Sequence, residues 1–401
     1  MSLVLSLNPG SASLKFELIG VQAAQTIASQ GRKLLSASVE GIGKQPHLLI
    51  YHDGKVSQTH PCPAHDMRSA AACALDLLRH RYSQPIRHLD LIGVRVVHGG
   101  SKYLRPEPLT SKVKRDIEAF EELAPLHNKG SLDVFAAVDK DLPGIPVYAA
   151  FDTSFHATVP EHAWRYPIPC GIADQFGIRK YGFHGLSHRY MLEQYAQTSG
   201  KPLDKVNIVT LHLESGSSAA AIQNGRSIDT TMGLTPLGGL MMGTRSGSID
   251  PAIVPLLMRK LGASAGMVMH ILNQRSGLLG IAGDTFDTRD LASRIDDAAQ
   301  LALKMFAYRI RLAVGGYLAA LEKPEAVIFG GGIGENTPTV REQVCRGLST
   351  FGLDFDEGIN LLSTSGPACL SLPGSRLQAH VIPSDEGLQI AHECVAASAL
   401  E

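Results

Sequence analysis

Leu5-Ser6-Leu7-Asn8-Pro9-Gly10-Ser11-Ala12-Ser13 and Leu211-His212-Leu213-Glu214-Ser215-Gly216-Ser217-Ser218-Ala219 both read L-x-L-x-x-G-S-x-[SA]. Apolar residues flank each copy. Val4, Phe16, Leu18 and Ile19 surround the first, and the second lies within Ile208 to Ile222. Two apolar runs separated by a Gly-Ser turn predict a β-hairpin. The copies lie about half the chain apart, which predicts a duplicated domain, each half opening with a hairpin. Such turns expose N–H groups and hydroxyls that can hold phosphate oxygens, and Lys15 adds a cation nearby. An ordinary turn would explain one copy. Two copies point to a phosphate gripped from both halves.

Outward from the hairpins, strand and helix patterns alternate. Leu91 to His98 reads as a buried strand, and Val147 to Phe151 as another. Thr110 caps a helix with Val113, Ile117, Phe120 and Leu123 on one face, stopped by Pro125. A long helix covers about 296–321, Ala326 to Phe329 is a strand, and Thr337 and Pro338 start a further helix after Gly330 to Asn336. This is α/β architecture. The length of 401 residues favours more than one domain. The expected division is 1–152 plus 385–401 against 153–384.

Bulk properties exclude several classes. A net charge of −1 offers no overall grip on nucleic acid or anionic lipid. The six cysteines form no C-x-x-C pair, so neither a disulfide framework nor a zinc knuckle is indicated, and a reducing cytoplasm fits. Met1 to Leu7 is too short and uncharged for a signal peptide, and Leu312 to Leu321 is half of a membrane span.

Several residues look chemical. Arg95 interrupts an apolar strand, where a charge is costly unless it is paired or binds an anion. Alternation sets Val97 beside it, which suits a short carboxylate with a methyl tail. A salt bridge is the plainer reading. Asp152 ends a strand, where ligands of α/β sheets gather. Gly332-Ile333-Gly334-Glu335-Asn336 lies in a glycine run that lets a flat ligand approach backbone. Arg245 sits in a Gly-flanked loop, where a surface arginine is the ordinary reading. His184 and His188 have the spacing of a zinc pair, although H-E-x-x-H is not matched. Glu386, near the start of the last helix, either serves the helix end or helps hold hydrated Mg²⁺.

Taken together, these stretches resemble the acetate kinase family, within the superfamily of acetate and sugar kinases, Hsp70 and actin. The resemblance also draws on Arg95-Val96-Val97-His98-Gly99-Gly100, Leu123-Ala124-Pro125-Leu126-His127-Asn128, Phe151-Asp152-Thr153, Tyr181-Gly182-Phe183-His184-Gly185 and Gly243-Thr244-Arg245-Ser246-Gly247. It implies a duplicated two-domain, actin-like (ribonuclease H-like) ATPase fold with its active site in an interdomain cleft. It also implies Asn8 and Glu386 as ligands of Mg²⁺ or Mn²⁺. Lys15, His212, Leu213, Glu214, Ser215, Gly216, Asp287, Thr288, Arg289, Gly332, Ile333, Gly334, Glu335 and Asn336 would contact ATP or ADP. Arg95 would bind acetate against Val97, Leu126, Phe183 and Pro236, with His127 in support. Asp152, His184 and Arg245 would be catalytic. A homodimer is implied as well. The chain departs from the family at Glu214 and Ser215, where H-L-G-N-G is usual; Glu214 would put negative charge near the phosphates.

Acetate at neutral pH is already a nucleophile, so its attack on the γ-phosphorus needs no base. The obstacle is repulsion between anions. The resulting expectation is direct in-line transfer from ATP to acetate, with Asp152 orienting arginines or metal-bound water. A propionate kinase is the neighbouring reading, because one methylene changes selectivity by only about 1–3 kcal/mol. A non-catalytic actin- or Hsp70-like module and a zinc hydrolase are the more distant ones.

Overall fold

The strand Ser2–Pro9, buried on both faces over most of its length, pairs along its whole length with its neighbour in sequence. The structure is a computed structural model that describes residues 1–22, 31–52, 55–124, 128–363 and 366–400. Two compact units divide the chain: Met1–Phe155 with Asp385–Glu401, and His156–Ser384.

In the first unit the strands are β1 (Ser2–Pro9), β2 (Ser13–Val21), β3 (Arg32–Glu40), β4 (His47–His52), β5 (Lys55–Pro61), β6 (Leu91–Val96), β7 (Glu107–Pro108) and β8 (Val147–Phe151). They lie in the order β5-β4-β3-β2-β1-β6-β8-β7. β1 is antiparallel to β2 and parallel to β6, and β6 is parallel to β8. Leu5, Leu7, Phe16 and Val94 are buried beneath helices that include Met67–Arg81 and Asn128–Asp141. The helix Glu386–Ser398 lies across β1, β2 and β6. Its close approach depends on Gly93, since a Cβ there would come within 2.6 Å of Ile390 and 3.0 Å of the Cys394 sulfur.

In the second unit the strands are β9 (Ile208–Leu213), β10 (Ser217–Gln223), β11 (Arg226–Thr230), β12 (Ala326–Gly330), β13 (Ala368–Cys369) and β14 (Gln378–Val381). Their order is β11-β10-β9-β12-β14-β13. This repeats β3-β2-β1-β6-β8-β7 strand for strand, including which neighbours are parallel. The duplication read from two short motifs is therefore a property of both sheets. The long helix Asp297–Ala320 is capped by the Asp296 side chain, which accepts from the Ala299 N–H, and packs on β9 and β10.

Some expected boundaries move. β6 ends at Val96, so Val97 and His98 leave the ladder; their segment is pinned instead by side chains described below. Gly331–Asn336 forms its own short helix, and Thr337 makes no cap to the helix Pro338–Cys345. The Thr337 hydroxyl is bonded to that of Thr288, at 2.8 Å.

Candidate active site

In the first unit, three neighbouring parallel strands deliver the polar residues. Asn8 is near the end of β1, Arg95 near the end of β6, and Asp152 directly follows β8. Asp152 is fully buried. Its backbone N–H donates to the Val96 carbonyl at 3.0 Å, which fixes its position. Arg95 Nε donates to Asp152 Oδ1 at 3.0 Å and Nη2 to Oδ2 at 2.6 Å, a bidentate pair. Arg95 Nη1 donates to Asn8 Oδ1 at 3.0 Å, and Asn8 Nδ2 to Glu386 Oε2 at 2.6 Å. The salt-bridge reading of Arg95 is thus borne out, and the ion pair sets the plane of the guanidinium. Glu386 reaches Asn8 because the Asp385 side chain caps its helix, accepting from the Leu388 N–H at 3.0 Å.

Sequence reasoning missed the supports of this strand end. The buried Asn128 side chain accepts from the His98 N–H at 3.1 Å and donates to the His98 carbonyl at 3.1 Å. Ser131 donates to the Arg95 carbonyl at 2.9 Å, and Thr153 accepts from the Gly99 N–H at 3.1 Å. Asn128 stood inside a quoted motif, but nothing in its spacing marked a backbone clamp. Val97 is buried beside Arg95 in sequence, whereas Leu126 and His127 lie outside the described residues. Lys15 pairs opposite Asn8 in the hairpin, on an exposed position.

In the second unit the turn Glu214–Gly216 is short and closed by Glu214 N–H donating to the Gly216 carbonyl at 3.1 Å. A Cβ added to Gly216 would lie 3.4 Å from His184 Nε2 and 3.5 Å from Arg245 Nη1, so three separate segments meet there. His184 has φ 58°, a left-handed conformation uncommon for a histidine, at the start of the helix Gly185–Ser199. Strain of this kind persists where the surroundings enforce it. Arg245 is half-buried, not a surface arginine, and its Nη1 donates to the Pro236 carbonyl at 3.2 Å. Its loop is stitched to the segment around Gly277, through Ser276 and Leu278 N–H groups donating to Thr244 and Met242 carbonyls.

Phe183 is buried in the same unit, and its carbonyl accepts from His156 Nε2 at 3.1 Å. Burial drives His156 down to about 4. The zinc-pair reading of His184 and His188 fails on geometry. His188 is fully buried, with Nδ1 bonded to Thr210 and Nε2 to Ser218. Among the described residues no group of three His, Cys, Asp or Glu could hold a metal.

Also in the second unit, a cavity of about 290 Å³ is lined by Glu214, Ser215, Phe286, Asp287, Thr288, Arg289, Gly332, Ile333, Asn336 and Thr337. Eight of the expected ATP contacts are among them. Asp287 caps the helix Thr288–Ser293, and hydrogen bonds from Arg289 hold its carboxyl down at about 2. The other expected contacts stand apart from this lining. Leu213 is a core side chain, Gly334 is buried, and Glu335 accepts from the Ser384 N–H at 3.0 Å. His212 is buried, with Nδ1 2.8 Å from the Ser187 hydroxyl. Its Nε2 lies 3.6 Å from Glu214 Oε2.

Two copies of one strand topology, each opening with a polar hairpin turn, define the duplicated actin-like α/β class. Within that class the chain belongs to the acetokinase family, whose pattern matches residues 3–392 and whose members pass a phosphoryl group to a carboxyl group. It is 40% identical to the acetate kinase of Bacillus subtilis (strain 168), over 98% of this chain and 99% of that protein. The crystal structure of Porphyromonas gingivalis acetate kinase matches over 100% of both chains, with 35% identity and a TM-score of 0.88. A propionate kinase from Francisella tularensis matches over 98% of this chain and 99% of its own, at 34% identity and a TM-score of 0.87.

Proposed function

We propose that this protein catalyses the reversible, Mg²⁺-dependent transfer of the ATP γ-phosphoryl group to acetate, giving acetyl phosphate and ADP. The observation that carries the reading is Arg95, locked in plane by Asp152 and Asn8 near the end of β6, with the buried Val97 two residues further along the chain. A guanidinium fixed in plane recognises a carboxylate, and its orientation costs nothing at the moment of reaction. Asp152 spends both oxygens on Arg95, which supports an orienting role over proton removal.

Arg245 and the Nε2 edge of His184 face the hairpin turn at Gly216 and would stabilise the transferring phosphoryl oxygens. Glu214, Ser215, Asp287 to Arg289 and the Gly332 run would receive the nucleotide. Direct in-line transfer requires the acid-binding set and this set to act on one phosphorus. Asn8 and Glu386 would hold Mg²⁺ or Mn²⁺: Glu386 offers a carboxylate and Asn8 an amide oxygen that here accepts from Arg95, and a single carboxylate befits an ion that keeps water and takes phosphate oxygens. Bound there, the ion supplies positive charge against the phosphates.

The first unit would thus contribute Arg95, Val97 and the metal residues, and the second the nucleotide and phosphoryl residues together with Phe183 and Pro236 of the acid pocket. We also propose a cytoplasmic homodimer. No described helix is long and apolar enough to cross a membrane. Leu256, Leu261 and Met267, exposed on the helices Ile253–Leu261 and Ala265–Gln274, are available for pairing between subunits. The deciding experiment is a hydroxamate assay with ATP and Mg²⁺ on acetate, propionate and butyrate. Highest kcat/KM on acetate is expected, whereas a preference for propionate moves the assignment to the neighbouring activity. No acyl phosphate from any acid defeats it.

A further inference from the structure

The second unit carries a buried proton chain that ends on His184. Thr210 Oγ1 lies 2.8 Å from His188 Nδ1, His188 Nε2 lies 2.7 Å from Ser218 Oγ, and Ser218 Oγ lies 3.0 Å from His184 Nδ1. Thr210, His188 and Ser218 are all fully buried. The direction of the protons follows from the first link. Among the described residues the Thr210 hydroxyl has His188 Nδ1 as its one side-chain or backbone partner. If it only accepted there, its own hydrogen would be buried without an acceptor, an arrangement that native interiors avoid. Thr210 therefore donates to His188 Nδ1.

Burial holds His188 well below the usual histidine range, so its ring is neutral and carries its one proton on Nε2. That N–H donates to Ser218 Oγ. The Ser218 hydroxyl hydrogen is then left to donate to His184 Nδ1, the other partner of that oxygen. A ring nitrogen that accepts carries no proton. His184 is thereby neutral with its hydrogen on Nε2, on the edge beside Gly216.

We infer that Thr210, His188 and Ser218 are positioning residues that fix His184 as a neutral imidazole donating from Nε2 toward the transferring phosphoryl group. The inference rests on the role proposed above for His184. It assigns that residue a hydrogen-bond donor's task without a positive charge, and leaves the cationic part to Arg245. A serine and a threonine with no access to substrate would then set the electrostatics of the reaction centre.

The test uses the full chain labelled with ¹⁵N-histidine at neutral pH, with His184 signals assigned through the loss seen in His184→Gln. Long-range ¹H–¹⁵N spectra should show His184 protonated at Nε2 and bare at Nδ1. Ser218→Ala should produce a mixture of tautomers. It should lower kcat roughly tenfold, less than the 10²–10³ lost on removing a transition-state donor outright. KM for ATP and acetate should barely move. Thr210→Ser, which keeps the hydroxyl, should behave as the parent, and Thr210→Val should behave as Ser218→Ala. A parent His184 that is protonated at Nδ1, or at both nitrogens, overturns the inference. So does an unchanged tautomer in both Ser218→Ala and Thr210→Val. The spectra read the chain of protons whether or not acetyl phosphate is formed, so failure of the proposed activity is separately visible.

Discussion

The two hairpins begin from the same sequence pattern and end as different devices. In the first, Asn8 still belongs to the ladder opposite Lys15, and the turn lies beyond Pro9 and Leu14. In the second, the last pair is Leu213 with Ser217, so Glu214, at the matching motif position, projects from the turn itself. Asn8 is buried and tied to Arg95 and Glu386. The Glu214 side chain is 48% exposed. The surroundings diverge as well: the first unit surrounds its strand ends with ion pairs, the second with imidazoles and hydroxyls. Duplication has preserved a backbone address, and the side chains at each address set its chemistry.

Four experiments can break or sharpen this contrast. The largest effect should come from Asp152→Ala, which removes the bidentate carboxylate from the largely buried Arg95. Breaking such a pair costs about 3–5 kcal/mol, to be read as a lower urea midpoint, together with a near-complete loss of acyl phosphate formation. A variant of parental stability and turnover would show that the ion pair is incidental. Arg245→Ala should cut kcat by about 10²–10³, while ATP affinity by calorimetry stays close to that of the parent. Equal losses in both would make Arg245 a ground-state contact.

The third experiment is acidification. His156, buried and held at about 4, is neutral in the folded chain and takes a proton more readily when unfolded, where its ordinary value is 6.5. Its contribution is complete above pH 6.5 and is lost as pH falls toward 4, about 3 kcal/mol in all by linkage. His188 acts in the same direction. Urea unfolding at pH 7 and pH 5 should show the loss, and His156→Phe should flatten the slope; an unchanged slope would remove His156 as its source. The smallest effect belongs to Glu214→Gly. Removing a half-exposed charge should tighten ATP about two- to fivefold, measured as Kd. Weaker binding would mean that Glu214 serves the nucleotide.

Much of the scaffold was readable before any coordinates. Two nine-residue motifs announced the duplication, and Thr110 caps the helix its position suggested. Arg95 stood out because a cation in an apolar strand demands a partner. Which partner was not legible, since Asp152 is brought alongside only by the parallel pairing of β6 with β8. The supports were harder still. Asn128, Ser131, Thr210 and Ser218 are small polar residues of common type, and their meaning lies in contacts between distant segments. Thr337 misled for the opposite reason: its local spacing suits a cap, but Thr288 claims its hydroxyl.

The helix Glu386–Ser398 belongs to the unit that also contains the first strand, while the other unit is threaded between them in the chain. On the ribosome, synthesis is vectorial, and domains tend to fold as they emerge. The inserted half can reach its final form while the opening half still lacks the helix that seats on Gly93 and carries Glu386. The inserted half can thereby mature ahead of the half that encloses it in sequence, and the set of Asn8, Arg95 and Asp152 stays without Glu386 until the first turn of that helix is made.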